Sequence, residues 1–221
     1  MRINRAIAME FLGSLVLAVA IVGSGHMATF LGAEYGLALF INALATALGL
    51  ATVIRIGMKI SGSHFNPAVS LVMLILKKIT PKLFVFYIVA QICGAIFGAL
   101  LANLLFNQKI LVQSEISRSG SHLFISEIFA TSVLLWIILR FPKRVDQIAI
   151  YVPIWIFGAI IFTSSTSFAN PAITIGRIFT TSIVGISPTS AFAFILAQLI
   201  GSALGLLIAK QVTNPGKDSD E

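Results

Sequence analysis

The chain has 221 residues, of which 57% are hydrophobic and only 10% are charged, and its mean hydropathy is +0.99. That composition excludes an ordinary soluble domain, because charged residues are too few to cover a water-facing surface. The net charge of +7 does not mark a nucleic-acid partner either, because the cations are distributed as in a membrane protein, as set out next.

A membrane-crossing helix needs roughly 20 mostly apolar residues. Six stretches meet that requirement: 6–30, 36–56, 81–106, 123–139, 147–164 and 188–209. The first is too long for a cleaved signal peptide and lacks a small-residue cleavage site, so it is expected to remain as the first helix. Two further apolar segments, 67–76 and 171–181, are too short to cross and read as re-entrant. Residues 107–122 form a polar linker with Gly and Ser, and 213–221 form a polar tail expected to be disordered and cytoplasmic. Residues 1–212 are thus expected to form one transmembrane domain in a cell membrane. With both termini cytoplasmic, twelve Lys and Arg fall inside and three, Lys109, Arg118 and Arg177, fall outside. This is the positive-inside bias. Cys93 is the only cysteine, so neither an intrachain disulfide nor a thiolate metal cluster is expected.

The chain repeats itself. AMEFLGSLVLAV (residues 8–19) echoes ISEIFATSVLLW (125–136), aligning Glu10 with Glu127. SGSHFNPAVSLVMLIL (61–76) is echoed in part by STSFANPAITIGRIF (165–179), aligning Asn66 with Asn170. YIVAQICGAIFGALL (87–101) echoes FILAQLIGSALGLLI (194–208), aligning Gln91 with Gln198. The halves, about 6–106 and 123–209, each hold three spans. Three is odd, so the second half is expected to be inverted in the membrane. Gly94 with Gly98, and Gly201 with Gly205, have the spacing that lets helices approach closely in lipid.

Each short segment begins Asn-Pro-Ala: Asn66-Pro67-Ala68 and Asn170-Pro171-Ala172. Asn is a good N-cap and Pro suits the first helical position. The cap oxygen accepts from the first turn, which leaves the Asn amide with two donors directed away from the helix. Two such helix starts meeting mid-membrane place two partial positive charges, each roughly +0.5, around one point. Protons and cations are repelled there and neutral solutes are not, so the residues predict passive conduction of uncharged molecules. Glu10 and Glu127 are ionisable groups within spans. They read either as acceptors for the N–H groups of the two re-entrant loops or as a proton relay. Gln91 and Gln198 are expected to brace the same loops. His64 is either a loop brace or a protonation gate. No catalytic arrangement, phosphate-binding loop or metal-ligand cluster is visible, so neither enzymatic activity nor a cofactor is expected.

Two Asn-Pro-Ala motifs, each after a polar loop and before an apolar half-helix, resemble the aquaporins of the major intrinsic protein family, over about residues 9–207. The resemblance implies an all-α right-handed bundle of six transmembrane helices and two re-entrant half-helices in an inverted 3+3 repeat. It also implies a homotetramer with one pore per subunit. The carbonyls of Gly62, Ser63 and His64, and of Ser165, Thr166 and Ser167, would form a ladder of acceptors along the pore. A gapless count from the motifs puts the selectivity filter at Thr46, Gly158, Ser167 and Ile173, with Gly158 the position that a slip of one or two residues would move. The usual filter Arg is here Ile173, so a wide, uncharged mouth is implied. This is similar to a bacterial subclass with an aliphatic residue at that position, which suggests a bacterial inner membrane. Water and glycerol-type polyols are the implied solutes, with arsenite as a further neutral one. Arg177 lies one helical turn beyond Ile173. It reads either as an outer-vestibule charge or as an interfacial anchor paired with an acid such as Glu34 or Glu115. The competing class is a secondary active transporter coupled to protons through Glu10 and Glu127, since inverted repeats and broken helices also build transporters.

Overall fold

The structure is a computed structural model that describes residues 2–141 and 144–212; the tail 213–221 lies outside the described residues. The regular elements are α1 (Arg2–Phe30), α2 (Tyr35–Gly57), α3 (Pro67–Ile75), α4 (Pro81–Leu105), α5 (Ser121–Arg140), α6 (Val145–Phe162), α7 (Pro171–Gly176) and α8 (Pro188–Val212). All but α3 and α7 are long and apolar enough to cross a membrane. The six predicted spans are therefore present, and the described residues hold no strand.

The first half packs α1 against α4, and the second packs α5 against α8 in the equivalent way. Glycine makes both contacts possible. A Cβ on Gly94 or Gly98 would lie 2.3 or 2.4 Å from the carbonyl oxygen of Phe11 or Leu15. A Cβ on Gly201 or Gly205 would lie 2.5 or 2.4 Å from that of Ile128 or Ser132. In hydrocarbon no hydrophobic force draws helices together, so such backbone contact is what supplies the dispersion energy. The halves join where α2 meets α6, α4 meets α7 and α3 meets α8. The largest apolar cluster includes Val53 and Ile54 of α2, Phe65, Leu134 and Leu135 of α5, and Val152 and Ile156 of α6.

The short helices point opposite ways. After α3 the chain reaches Lys77 and Lys78, beside the start of α4. After α7 it reaches the far end of α4, where Asn103 Nδ2 donates to the Phe179 carbonyl at 2.8 Å. The sequence predicts an apolar segment over 171–181, but α7 ends at Gly176 and tightens into a 3₁₀ turn over Arg177–Phe179. The reason lies in competing partners. The Arg177, Ile178 and Phe179 carbonyls accept from Ile186 N, Ser114 N and Asn103 Nδ2, all outside the helix. Gly176 also sits where a Cβ would come 2.6 Å from the Ala95 carbonyl oxygen.

Candidate functional site

Asn66 and Asn170 cap α3 and α7. Asn66 Oδ1 accepts from Ala68 N at 2.9 Å, and Asn170 Oδ1 accepts from Ala172 N at 3.0 Å and Ile173 N at 3.3 Å. The amide nitrogens do something the sequence did not reveal. Asn66 Nδ2 donates to the Ala169 carbonyl at 2.7 Å, and Asn170 Nδ2 donates to the Phe65 carbonyl at 2.8 Å. Each asparagine thus ties its own half to the other. One donor per asparagine is consumed this way, not zero as expected, so one is left for a passing solute.

The loops leading to these caps share a backbone pattern. Ser63 and Phe65 have φ of 49° and 46°, and their counterparts Ser167 and Ala169 have 43° and 46°. Left-handed conformation costs a non-glycine residue roughly 1–2 kcal/mol, so other contacts must hold it. Glu10 does so in the first half. It accepts from His64 N at 3.0 Å, Phe65 N at 2.6 Å, Ser61 Oγ at 2.6 Å and Gln91 Nε2 at 2.7 Å. Glu127 does so in the second, accepting from Phe168 N and Ala169 N at 2.9 Å each and from Gln198 Nε2 at 2.7 Å. Both carboxylates are fully buried, and neither lines the cavity described next.

Two braces escaped the sequence reading. Gln91 Nε2 also donates to Ser70 Oγ at 2.9 Å, and Gln198 Nε2 to Thr174 Oγ1 at 3.0 Å. Ser70 and Thr174 each stand four residues after their capping Asn, so a hydroxyl in register between the repeats was the available signal. His64 Nδ1 bonds Ser70 Oγ at 3.0 Å, and its ring meets Tyr87 edge-on at 5.3 Å between centroids.

A cavity of about 770 Å³ runs from Lys78 and Lys210 past both asparagines to Thr46, Ser167 and Ile173. One wall is polar backbone. Among the described residues no hydrogen bond reaches the carbonyls of Gly62, Ser63, His64, Ser165, Thr166 or Ser167. Of these residues, Gly62, Ser63, His64 and Ser167 line the cavity, whereas Ser165 and Thr166 do not. The facing wall is apolar, with Leu50, Ile54, Val152 and Ile156. The Thr46 and Ser167 hydroxyls are buried with no partner among the described residues, and Ile173 stands with them.

Residues 1–164 match the model of the major intrinsic protein family. The chain is 38% identical to an aquaglyceroporin, AqpS, of Rhizobium meliloti (strain 1021), over 97% of this chain and 93% of that one. The chain belongs to the major intrinsic protein family. It is also 30% identical to a probable aquaporin, TIP3-2, of Arabidopsis thaliana, over 96% of this chain and 84% of that one. The X-ray structure of the aquaglyceroporin from Plasmodium falciparum has the same fold, with a TM-score of 0.76 at 23% identity, over 96% of this chain and 98% of that one.

For a member of the major intrinsic protein family, one filter expectation and the reading of Arg177 meet a different geometry. Gly158 is not on the cavity wall. Ile148, Val152 and Ile156 are, at the four-residue spacing of one helix face, and Gly158 is turned away from it. Gly158, reached by the gapless count, stands two residues beyond Ile156 and off that face. Gly158→Ala should therefore leave solute preference unchanged, its Cβ meeting only the Phe162 ring at 3.2 Å. Ile156→Ala should raise flux of the larger polyols in a proteoliposome swelling assay; the reverse pattern would restore Gly158 to the pore. Arg177 is not at an exposed interface and pairs with neither Glu34 nor Glu115 among the described residues. It is buried, its Nε donates to the Val184 carbonyl, and its guanidinium carbon lies 3.2 Å from the centre of the Phe168 ring.

Proposed function

We propose that this chain is a passive channel for water and small neutral polyols of the glycerol class, and not an enzyme. The observation that carries this reading is the pair of cross-tied asparagines, which aims two helix N-termini into one cavity with a single donor free on each. A solute moving through would trade its hydration for the loop carbonyls and the two Asn donors while its carbon side meets the apolar wall. The positive helix ends oppose cations and protons at the same level. The secondary-transporter alternative lacks a coupling site, because Glu10 and Glu127 are occupied by loop donors and do not face the cavity.

Several finer points belong to this reading. The lysine-rimmed mouth is cytoplasmic, following the positive-inside bias, and the opposite mouth is external. The channel sits in a bacterial inner membrane as a single domain. Exposed apolar side chains such as Leu12, Phe40, Val89 and Phe192 face lipid or neighbouring subunits of a homotetramer. Ile173 in place of a filter cation suits solutes larger than water, arsenite included. Proteoliposomes holding the purified protein should swell in glycerol and shrink faster osmotically than empty ones, with no ion current. A proton or sodium current, or uptake against a gradient, would reverse the assignment in favour of a transporter.

A further inference from the structure

Three consecutive carbonyls near the external mouth are held by two arginines. Arg118, from the linker between the halves, donates from Nε to the Gly185 carbonyl at 2.9 Å and from Nη2 to the Ile183 carbonyl at 3.0 Å. Arg177 donates from Nε to the Val184 carbonyl between them. The guanidinium carbons lie 5.2 Å and 3.2 Å from the centre of one ring, Phe168, within the range of cation–π attraction. Phe168 directly follows the filter position Ser167 and is itself fixed by Phe194, edge-on at 5.0 Å.

The held turn backs the constriction. Val184 shares an apolar cluster with Ile173, Leu17 and Val22, and it closes on α1 where a Cβ on Gly25 would meet it at 3.1 Å. The linker is stitched to the same region, with Ser114 N on the Ile178 carbonyl at 2.7 Å, Ser187 N on the Ile116 carbonyl at 2.8 Å and Arg118 N on Ser190 Oγ at 2.9 Å. Neither arginine is ion-paired to an acid among the described residues. Two unneutralised cations are a costly way merely to anchor a loop, since burying a charge is unfavourable unless it is well bonded. What a planar guanidinium adds is donation and ring stacking from one rigid group, which an ammonium does not offer.

We propose that Arg177 is a specificity-determining residue of this channel that acts through position. With Arg118 it clamps residues 183–185 over Phe168 and so sets how far the Val184–Ile173 wall yields to a solute. The size limit at the external mouth is then held from behind by the arginines, and their charge is not what the solute reads. This rests on the channel reading, which fails separately if the unaltered protein does not pass glycerol.

The test is permeability to sorbitol and xylitol relative to glycerol, in proteoliposomes matched for folded protein. Arg177→Lys and Arg177→Leu should both raise that ratio by about tenfold, the scale of a methylene or two in a hydrophobic pocket. Arg118→Gln should raise it by less, since Arg177 remains. Val184→Ala, which leaves both arginines in place, should raise it too. An unchanged ratio in folded Arg177→Lys would overturn the proposal, because charge alone would then suffice. So would a cation leak in Arg177→Leu that Arg177→Lys abolishes. If the Arg177 variants do not fold, Val184→Ala and Arg118→Gln decide: a raised ratio in both supports the clamp, and an unchanged ratio in both rejects it.

Discussion

Glu127→Ala should nearly abolish folded protein. The substitution strands Phe168 N, Ala169 N and one Gln198 Nε2 donor behind a fully buried carboxylate site. Each unpaired buried donor costs roughly 1–3 kcal/mol, and the three together rival the whole net stability of a typical domain, about 5–15 kcal/mol. The loss also removes what holds Ser167 and Ala169 at positive φ. Glu10→Ala should behave alike, since Glu10 takes four donors in the first half. Size-exclusion profiles and melting temperature in detergent measure the effect. A variant with normal profile and melting, but with solute flux newly insensitive to pH, would mean that these carboxylates carry protons after all.

Ile173→Arg should cut glycerol flux by about tenfold or more while reducing water flux less, the asymmetry expected of a steric filter. Ile173 is 2% exposed and lines the same cavity as the unpartnered Thr46 and Ser167 hydroxyls. An arginine there is longer, brings five donors and adds a third guanidinium near Arg177 and Arg118. Paired stopped-flow measurements of water and glycerol on one vesicle batch give the ratio. Equal losses of both would place Ile173 outside the solute path.

The features legible in the sequence are those whose chemistry is local or repeated. A capping Asn followed by Pro makes a helix start wherever it stands, and Glu10, Glu127, Gln91 and Gln198 were found because each has a counterpart in the other half. Ser70 and Thr174 obeyed the same rule and were overlooked because a hydroxyl in a helix is common. What stayed hidden depends on distant segments meeting. Nothing near residue 66 announces that its amide ends on the carbonyl of residue 169. The early end of α7 follows from carbonyls drawn to Ser114, Asn103 and Ile186. Arg177, one turn past Ile173, has its partners in residues 168 and 184. Gly158, reached by counting across a loop, lies off the face of α6 whose Ile148, Val152 and Ile156 line the cavity, and in a helix apolar on all sides the sequence does not single out that face.

The exchange between Asn66 and Asn170 has the form of a contact across a two-fold axis: the asparagine of each half reaches the residue just before the asparagine of the other. In an assembly of identical subunits this is an isologous interface, in which one residue meets a second and the second's copy meets the first's. The chain therefore carries a homodimer interface inside a monomer. A single half, paired about that axis with an inverted copy of itself, would find the same two bonds waiting. Away from that axis the halves are free to differ: Phe168 faces Arg177 and Arg118 in one, while its counterpart His64 faces Tyr87 in the other.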